Sequence, residues 1–257
     1  MRFSLPFLRA QWRNLLMINY EVDPGLVLHR APRGTILDLW QGRCVVSLVG
    51  FLFGETRVKG IPVPFHRHFE EVNLRYYIQR KTSLETKRAV GFVREIVPQR
   101  AVAWMARLLF NENYVALPMD HRIDLESGPT YHAFPKIREP VRLEGRVEYG
   151  WKEGGRRHFL AATRASEWEP LKPGSEEEFI AEHYWGYVAQ RDGATVEYQV
   201  VHPPWRISRV KEVRVEIDWS MVYGAEWREP LSRPPVSAFL AEGSEVSVMD
   251  GHRILTA

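Results

Sequence analysis

The chain has 257 residues, of which 45% are hydrophobic, 12% aromatic and 26% charged, with a net charge of +3 and a pI near 9.0. This hydrophobic fraction is enough for a sizeable core, and the charged fraction is typical of a folded protein rather than a disordered one. Basic residues are scattered among acidic ones, with neither a basic stripe nor a nucleic-acid-binding module. Nucleic acid is therefore not an expected partner.

The cysteine content and the N-terminus bear on the compartment. Cys44 is the single cysteine and lies in an apolar run, which is typical of a buried, inert thiol and excludes a disulfide within the chain. The first ten residues carry Pro6 within their apolar stretch and make a poor signal peptide. No apolar run reaches the roughly 18 residues of a membrane span. We therefore expect a soluble, cytoplasmic protein with no membrane partner.

Most segments alternate, or carry β-branched and aromatic residues between glycines and prolines, which predicts a β-rich (α+β) protein. The predicted strands are 12–22, 36–40, 43–53, 69–79, 89–97, 142–149, 157–164, 195–201 and 209–217. Neither a repeat nor a low-complexity linker interrupts this pattern, so a single domain over residues 1–257 is expected.

Two helices are predicted. Residues 99–110 place apolar side chains at helical spacing on one broad face. Ser175 and Glu178 form a capping-box pattern after Pro173-Gly174, which predicts a helix start at Ser175, with Phe179 and Ile180 on its apolar side.

The predicted strand 69–79 carries a polar face. Alternation places Glu71, Asn73 and Arg75 on one side, together with Phe69 and Tyr77. In a sheet that faces water, this is a solvated face. In a closed barrel, the same residues would line the lumen as a ligand site or as a buried ion-pair network. The alternation alone leaves both interpretations open.

Other chemistries have weaker support in the sequence. His66, His68 and Glu70 have a spacing that could ligate a metal, but further ligands would be needed, so no metal site is predicted. Nucleophile elbows, phosphate-binding glycine loops and dinucleotide motifs are missing, and no cofactor is expected. His202 and Trp205 flank a rigid Pro-Pro turn, where a structural role is the more common one and ligand contact is the alternative.

Several segments together resemble the YqjF-like proteins, a bacterial family of unknown function, over roughly residues 10–210. They are Asn19-Tyr20-Glu21-Val22-Asp23-Pro24, Leu37-Asp38, Val46-Ser47-Leu48-Val49-Gly50-Phe51, Thr56-Arg57-Val58, Gly60-Ile61-Pro62-Val63-Pro64-Phe65-His66, Phe69-Glu70-Glu71-Val72-Asn73-Leu74-Arg75-Tyr76-Tyr77-Ile78, Tyr184-Trp185 and His202-Pro203-Pro204-Trp205.

The resemblance implies the fold of acetoacetate decarboxylase, a closed, cone-like β-barrel of two sheets with a few peripheral helices and a small pocket inside. It also suggests a homodimer. That enzyme uses a Schiff-base lysine with a glutamate and an arginine. By the resemblance, Glu71 corresponds to the pocket glutamate and Arg13 to the positioning arginine. The lysine does not carry over, because the matching stretch 110–116 contains none. Schiff-base decarboxylation is therefore not expected. The alternative is that a different lysine, such as Lys59 or Lys136, enters the lumen.

These observations lead to an expected internal pocket for a small molecule. The favoured hypothesis is a non-Schiff-base enzyme acting on a small keto or carboxylate compound. Its predicted catalytic residues are Glu71, Arg13 and Arg75, and its predicted ligand-binding residues are Asn73, Tyr77, Tyr114, His202 and Trp205. The alternatives are a non-catalytic binding or carrier protein, and a polar interior that only fixes the barrel register.

Overall fold

The computed structural model describes residues 5–62, 68–104, 111, 113–125 and 145–254. Its strands are β1 (Leu8–Glu21), β2 (Ile36–Leu37), β3 (Val45–Val58), β4 (Ile61–Pro62), β5 (Phe69–Lys81), β6 (Thr86–Val97), β7 (Tyr114–Ala116), β8 (Met119–Ile123), β9 (Arg146–Glu153), β10 (Arg156–Arg164), β11 (Glu169–Pro170), β12 (Trp185–Ala189), β13 (Thr195–Val201), β14 (Arg206–Glu216), β15 (Ser237–Val248) and β16 (His252–Ile254). Its helices are α1 (Gly25–Leu28), α2 (described over residues 100–104), α3 (Glu176–Ala181), α4 (Trp219–Tyr223) and α5 (Arg228–Leu231).

Seven of the described strands form a closed ring in the order β1, β3, β5, β6, β12, β13 and β15. The ring closes because β15 pairs with β1 along one edge and with β13 along the other, at Val200↔Val248 and Val201↔Ser247. Neighbours in the ring are antiparallel except for β6 and β12, which run parallel. The predicted closed barrel is therefore confirmed.

A second sheet leaves the barrel at β15 and continues through β14, β10, β9 and β8. The first half of β15 pairs with β14, while its last residues pair with β13. Gly243 lies between these two halves with a φ of +81°, and a Cβ there would come within 2.0 Å of the Trp12 carbonyl oxygen. A glycine at this position lets β15 bend away from its neighbour, so that one strand serves both sheets.

The second sheet covers the outer face of β1, β3 and β5. Leu16, Leu48 and Leu74 are fully buried there, in one cluster with Tyr149 and Trp151 of β9. Close packing at this layer explains why one strand can be buried on both of its faces, as the apolar run 43–53 predicted.

Alternation along β5 separates its two faces as predicted. Val72, Leu74 and Ile78 belong to the cluster under the second sheet. Phe69 and Tyr77 belong to the cluster inside the barrel. A closed barrel turns one face of every strand inward, so the polar residues between Phe69 and Tyr77 enter the lumen.

The helices agree only in part with the prediction. α3 begins after Ser175, whose hydroxyl accepts a hydrogen bond from the Glu178 amide at 3.1 Å. The Glu178 carboxylate accepts from the amide of Gly174 instead of Ser175, which still satisfies a free donor ahead of the helix. Residues 105–110 of the helix predicted over 99–110 lie outside the described residues. Among the described helices, none is long and apolar enough to cross a membrane.

Candidate functional site

A cavity of about 160 Å³ lies inside the barrel, and its wall is mostly apolar and aromatic. The polar residues in the wall are Thr56, Glu71, Asn73, Arg75, Glu95, Tyr114, His183, Tyr198 and His202. An apolar cavity with a few convergent polar groups is the usual form of a small-molecule site. The cavity also rules out a lumen that is fully packed by ion pairs.

Two hydrogen bonds from described residues hold Glu71 in this wall. Glu71 is only 3% exposed. Asn73 Nδ2 donates to one carboxylate oxygen at 2.8 Å, and the Tyr114 hydroxyl donates to the other at 3.0 Å. Both donors lie in the wall themselves, on β5 and β7. Donors on both oxygens fix the orientation of the carboxylate before any ligand arrives.

Arg75 is anchored through part of its guanidinium group. Nε donates to the Tyr77 hydroxyl at 3.2 Å, and Nη2 donates to the Ile180 carbonyl at the end of α3 at 2.9 Å. Among the described residues, no carboxylate forms an ion pair with Arg75, and no acceptor of any kind takes a hydrogen bond from its Nη1. The guanidinium is thus fixed in position, with donors left for a partner outside the protein.

A buried polar chain supports Arg75 from behind. The Tyr77 hydroxyl lies 2.5 Å from Ser47 Oγ, which donates to Asn19 Oδ1 at 2.6 Å. Asn19 Nδ2 in turn donates to Ser237 Oγ at 2.8 Å. This chain crosses β5, β3, β1 and the start of β15. Because each member is satisfied by the next, Tyr77 acts as a rigid support for Arg75.

The two histidines in the wall are neutral at neutral pH. Burial lowers the pKa of His183 to about 4, aided by the charges of Arg88 and Arg75, while its hydrogen bond to Asp38 acts in the opposite direction. Burial also lowers the pKa of His202, and the charge of Arg75 adds to this effect. The positive charge at this part of the wall therefore comes from Arg75.

The polar groups follow a line along the barrel wall. Glu71 and Arg75 are four residues apart on β5, which corresponds to about 13 Å of strand, and Asn73 lies between them. Glu95 is buried on β6 directly opposite Asn73. One end of the cavity therefore carries carboxylates and the Tyr114 hydroxyl, and the other end carries a guanidinium.

The prediction that Arg13 reaches the pocket is wrong. Its side chain is on the outer surface, where it donates to Gln11 Oε1 at 2.7 Å and to the Gly243 carbonyl at 3.2 Å. The lumen side of β1 is occupied by Trp12 and Leu15. A register shift in this part of β1, with Asn14 at a φ of 55°, interrupts the simple alternation.

The remaining candidate ligand-binding residues lie at or behind the cavity wall. Asn73, Tyr114, His202 and Trp205 line it, whereas Tyr77 lies behind Arg75 and supports it. His202 and Trp205 stack with ring centroids 4.1 Å apart and an interplanar angle of 15°. Their Pro-Pro turn occurs where the chain leaves β13 in the barrel for β14 in the second sheet.

Four polar wall residues were not predicted from the sequence: Thr56, Glu95, His183 and Tyr198. Alternation from Phe92 would place Glu95 outside, but a bulge on β6 shifts the register between Arg94 and Phe92 and turns Glu95 inward. His183 follows α3 in a loop and carries no motif. The sequence shows only that this aromatic side chain lies just beyond a well-capped helix, and that position does not predict where the imidazole ring will lie.

The structure also bears on the lysine and metal alternatives. Lys59 forms an ion pair with Asp250 at the surface. His68 pairs with Glu55 at 3.5 Å, also at the surface. Lys136 and His66 lie outside the described residues. Within the described residues, no lysine lines the cavity and no group of three His, Cys, Asp or Glu side chains could hold a metal ion.

A closed barrel that shares one strand with a second, covering sheet and holds an internal cavity defines the acetoacetate-decarboxylase-like fold. Acetoacetate decarboxylase from Legionella pneumophila superimposes with a TM-score of 0.62 at 11% identity, over 98% of this chain and 88% of that chain. The enduracididine biosynthesis enzyme MppR complexed with pyruvate gives a TM-score of 0.64 at 11% identity, over 99% and 93%. An acetoacetate decarboxylase-like enzyme from Sphingomonas wittichii RW1 gives a TM-score of 0.60 at 11% identity, over 97% of this chain and 94% of that chain.

The chain belongs to the family DUF2071, described as an uncharacterized conserved protein, which matches residues 9–245. A curated relative, the uncharacterized protein YqjF of Bacillus subtilis (strain 168), is 31% identical over 75 residues. That match spans 29% of this chain and 31% of the relative. The predicted resemblance to the YqjF-like proteins is confirmed, and the identities to the solved structures are low enough to support the fold alone.

Proposed function

We propose that the protein is an enzyme without a Schiff base, which binds a small organic carboxylate at Arg75 and exchanges a proton with it at Glu71. The observation that carries this proposal is the alignment of Arg75, Asn73 and Glu71 in the wall of one small cavity. The positions of these side chains are structural facts. Their roles in binding and in proton exchange are the proposal.

The binding half of the proposal rests on the charge at Arg75. A guanidinium group offers paired N–H donors that match the geometry of a carboxylate. The described part of the chain offers Arg75 three neutral acceptors, the Tyr77 hydroxyl, the Ile180 carbonyl and, at 3.7 Å, the Met17 sulfur, and no ion-pair partner. A buried cation without a countercharge is costly. An anionic ligand in the cavity would supply the missing countercharge.

The chemical half of the proposal rests on Glu71. Its carboxylate is buried and held by two donors, so it is fixed in the wall, as a general acid or base must be. In the base role, a carboxylate oxygen would take a proton from a carbon or hydroxyl group of the ligand and later return it. The exchange balances, because the ligand regains one proton for the one that it gives to Glu71. MppR, a neighbour in fold, was solved with pyruvate, which supports a keto acid as the class of ligand. A keto acid that meets both groups must be long enough to extend from Arg75 towards Glu71.

A lysine anchor is not part of the proposal. Tyr114 lies in the stretch 110–116, which the resemblance matches to the lysine-bearing segment of the decarboxylase, and its hydroxyl bonds Glu71. A covalent imine would need a desolvated amine in the wall.

The alternative function is a binding or carrier protein that uses the same cavity without proton exchange. A homodimer, a cytoplasmic location and a single domain over residues 1–257 are further proposals that rest on the sequence.

Binding is tested by calorimetry with pyruvate and acetoacetate on the wild type and on Arg75→Met. We expect the substitution to weaken binding about 10- to 100-fold, since hydrogen bonds to charged groups contribute roughly 1.5–3 kcal/mol. Arg13→Met is the matched control, because it removes an arginine that lies outside the cavity, and it should change nothing. Equal binding by wild type and Arg75→Met would refute the proposed anion site.

Proton exchange is tested by following the loss of ligand C–H signals by NMR in D₂O. The probe is 6-oxoheptanoate, whose carbonyl lies several carbons from its carboxylate, because a keto acid as short as pyruvate would not extend from Arg75 to Glu71. We expect wild type to catalyse exchange at the carbons next to this carbonyl, and Glu71→Gln to abolish it. Glu70→Gln is the control, because Glu70 lies on the opposite face of β5 and bonds His121. Arg75-dependent binding without any proton exchange would contradict the proposed enzymatic function and favour a binding or carrier protein.

A further inference from the structure

A connected set of aromatic rings forms part of the apolar cavity wall. Trp12 packs edge-on against Phe51 at 5.3 Å and against Phe53 at 5.9 Å between ring centroids. Phe53 stacks on Phe69 at 4.5 Å with an interplanar angle of 11°. Trp205 lies 6.2 Å from Trp12. All of these rings line the cavity, so π-faces and ring edges form a large part of the surface that a ligand would touch, beside aliphatic side chains such as Val49 and Val90.

The volume sets the size of what can enter. The cavity measures about 160 Å³. An engineered apolar cavity of roughly 150 Å³ in another protein holds a benzene molecule. One six-membered ring with a short substituent therefore matches this volume, and a fused two-ring system exceeds it. A two-carbon or three-carbon acid would leave much of the aromatic wall uncovered.

The polar groups require a ligand with two ends. Arg75 favours a carboxylate at one end of the wall. At the other end, Glu71 accepts from Asn73 and Tyr114. Asn73 lies between Glu71 and Arg75, and within the described part of the chain its buried Oδ1 has no hydrogen-bond partner. An unsatisfied buried acceptor is costly, and a ligand hydroxyl placed beside it would satisfy it.

We infer that the cavity takes a carboxylate borne by a single aromatic ring, with a hydroxyl group at the far side of the ring. The inference rests on the proposed function, because it assumes that Arg75 binds the carboxylate. It goes further by assigning the body of the ligand to the aromatic wall and its second polar group to Asn73. Recognition would combine ring stacking with one ion pair and one hydrogen bond.

Phenylacetate, cyclohexylacetate, 4-hydroxyphenylacetate, 2-naphthylacetate and propionate, titrated by calorimetry, test the inference. Aromatic pairs contribute roughly 0.5–1.5 kcal/mol beyond area burial, so phenylacetate should bind about 2- to 10-fold more tightly than cyclohexylacetate. The hydroxyl group should add a further gain of about 2- to 10-fold. We expect 2-naphthylacetate and propionate to bind at least about 10-fold more weakly than phenylacetate.

Variants assign the ring preference to the wall. Trp205→Leu should reduce the advantage of phenylacetate over cyclohexylacetate, and Trp205→Phe should retain most of it. Trp104→Leu is the control, since Trp104 is 64% exposed. Asn73→Leu should remove the gain from the hydroxyl group while phenylacetate still binds.

The two proposals fail in different ways. If cyclohexylacetate or propionate binds as tightly as phenylacetate while Arg75→Met still weakens all three, the aromatic inference is overturned and the anion site stands. If benzyl alcohol binds as tightly as phenylacetate and Arg75→Met has no effect, the anion site is overturned. If none of the ring carboxylates binds at millimolar concentration to a folded protein, the aromatic inference is overturned as well.

Discussion

The two buried layers on either side of β5 differ in what they bury. The layer under the second sheet is mainly apolar, and two of its tyrosine hydroxyls end on backbone carbonyls: Tyr76 donates to Arg30 and Tyr149 to Asn14. The layer inside the barrel buries carboxylates, an amide and a guanidinium around a cavity. Burying polar groups is costly, and an apolar lumen would be at least as stable. The comparison indicates that the outer layer maintains the fold, and it supports the proposal that the inner layer carries the functional site.

The largest expected difference between the layers is in packing. Leu74 lies in the outer layer and is 0% exposed, while Leu15 borders the cavity and is 1% exposed. We expect Leu74→Ala to lower the free energy of unfolding by about 3–5 kcal/mol, because it creates a new void. Leu15→Ala should cost about 2–3 kcal/mol, because it enlarges an existing one. Urea denaturation measures both, and a larger loss for Leu15→Ala would contradict the comparison.

A second expected difference is in the response to acid. The folded-state pKa of His183 is about 4, below the ordinary value near 6.5. Below pH 6.5 the unfolded chain therefore binds a proton that the folded chain does not, and stability falls as the pH falls towards 4. The loss from this residue should reach about 3 kcal/mol at most.

Urea unfolding of wild type and His183→Gln at several pH values between 7 and 4 measures this effect. The variant should show a flatter dependence of stability on pH, with a residual slope because the pKa of His202 is also lowered. His68→Gln, at an exposed histidine, should follow the wild type. Parallel profiles for wild type and His183→Gln would show that His183 is not held neutral by the inner layer.

The smallest expected effects separate two neighbouring tyrosines on β5. Tyr77 accepts a hydrogen bond from Arg75, and Tyr76 faces the outer layer and bonds a backbone carbonyl. Either Tyr→Phe change should cost about 1–2 kcal/mol of stability. Tyr77→Phe should also weaken carboxylate binding several-fold, because Arg75 loses its support. If calorimetry showed the same loss of carboxylate binding for Tyr76→Phe, the distinction between the two faces of β5 would not hold.

Much of the inner layer could be predicted from one strand. The alternation over 69–79 assigned Glu71, Asn73 and Arg75 to one face, and the side-chain period of a strand is two whatever lies around it. The strand that closes the barrel, Ser237–Val248, was not predicted, because Gly243 interrupts its alternation. Irregular backbone likewise misled the prediction for Arg13 and hid Glu95, since a register shift or bulge changes which face a side chain takes.

The sequence by itself determined the β-rich class, the polar face of β5, the capped start of α3 and the family. Each of these depends on local spacing or on residues that keep their order along the chain. Only the tertiary structure decided that the polar face meets a cavity rather than water, that Arg75 rather than Arg13 reaches it, and that Glu95 and His183 join it. These facts depend on ring closure, bulges and a loop beyond a helix, which bring together residues far apart in the chain.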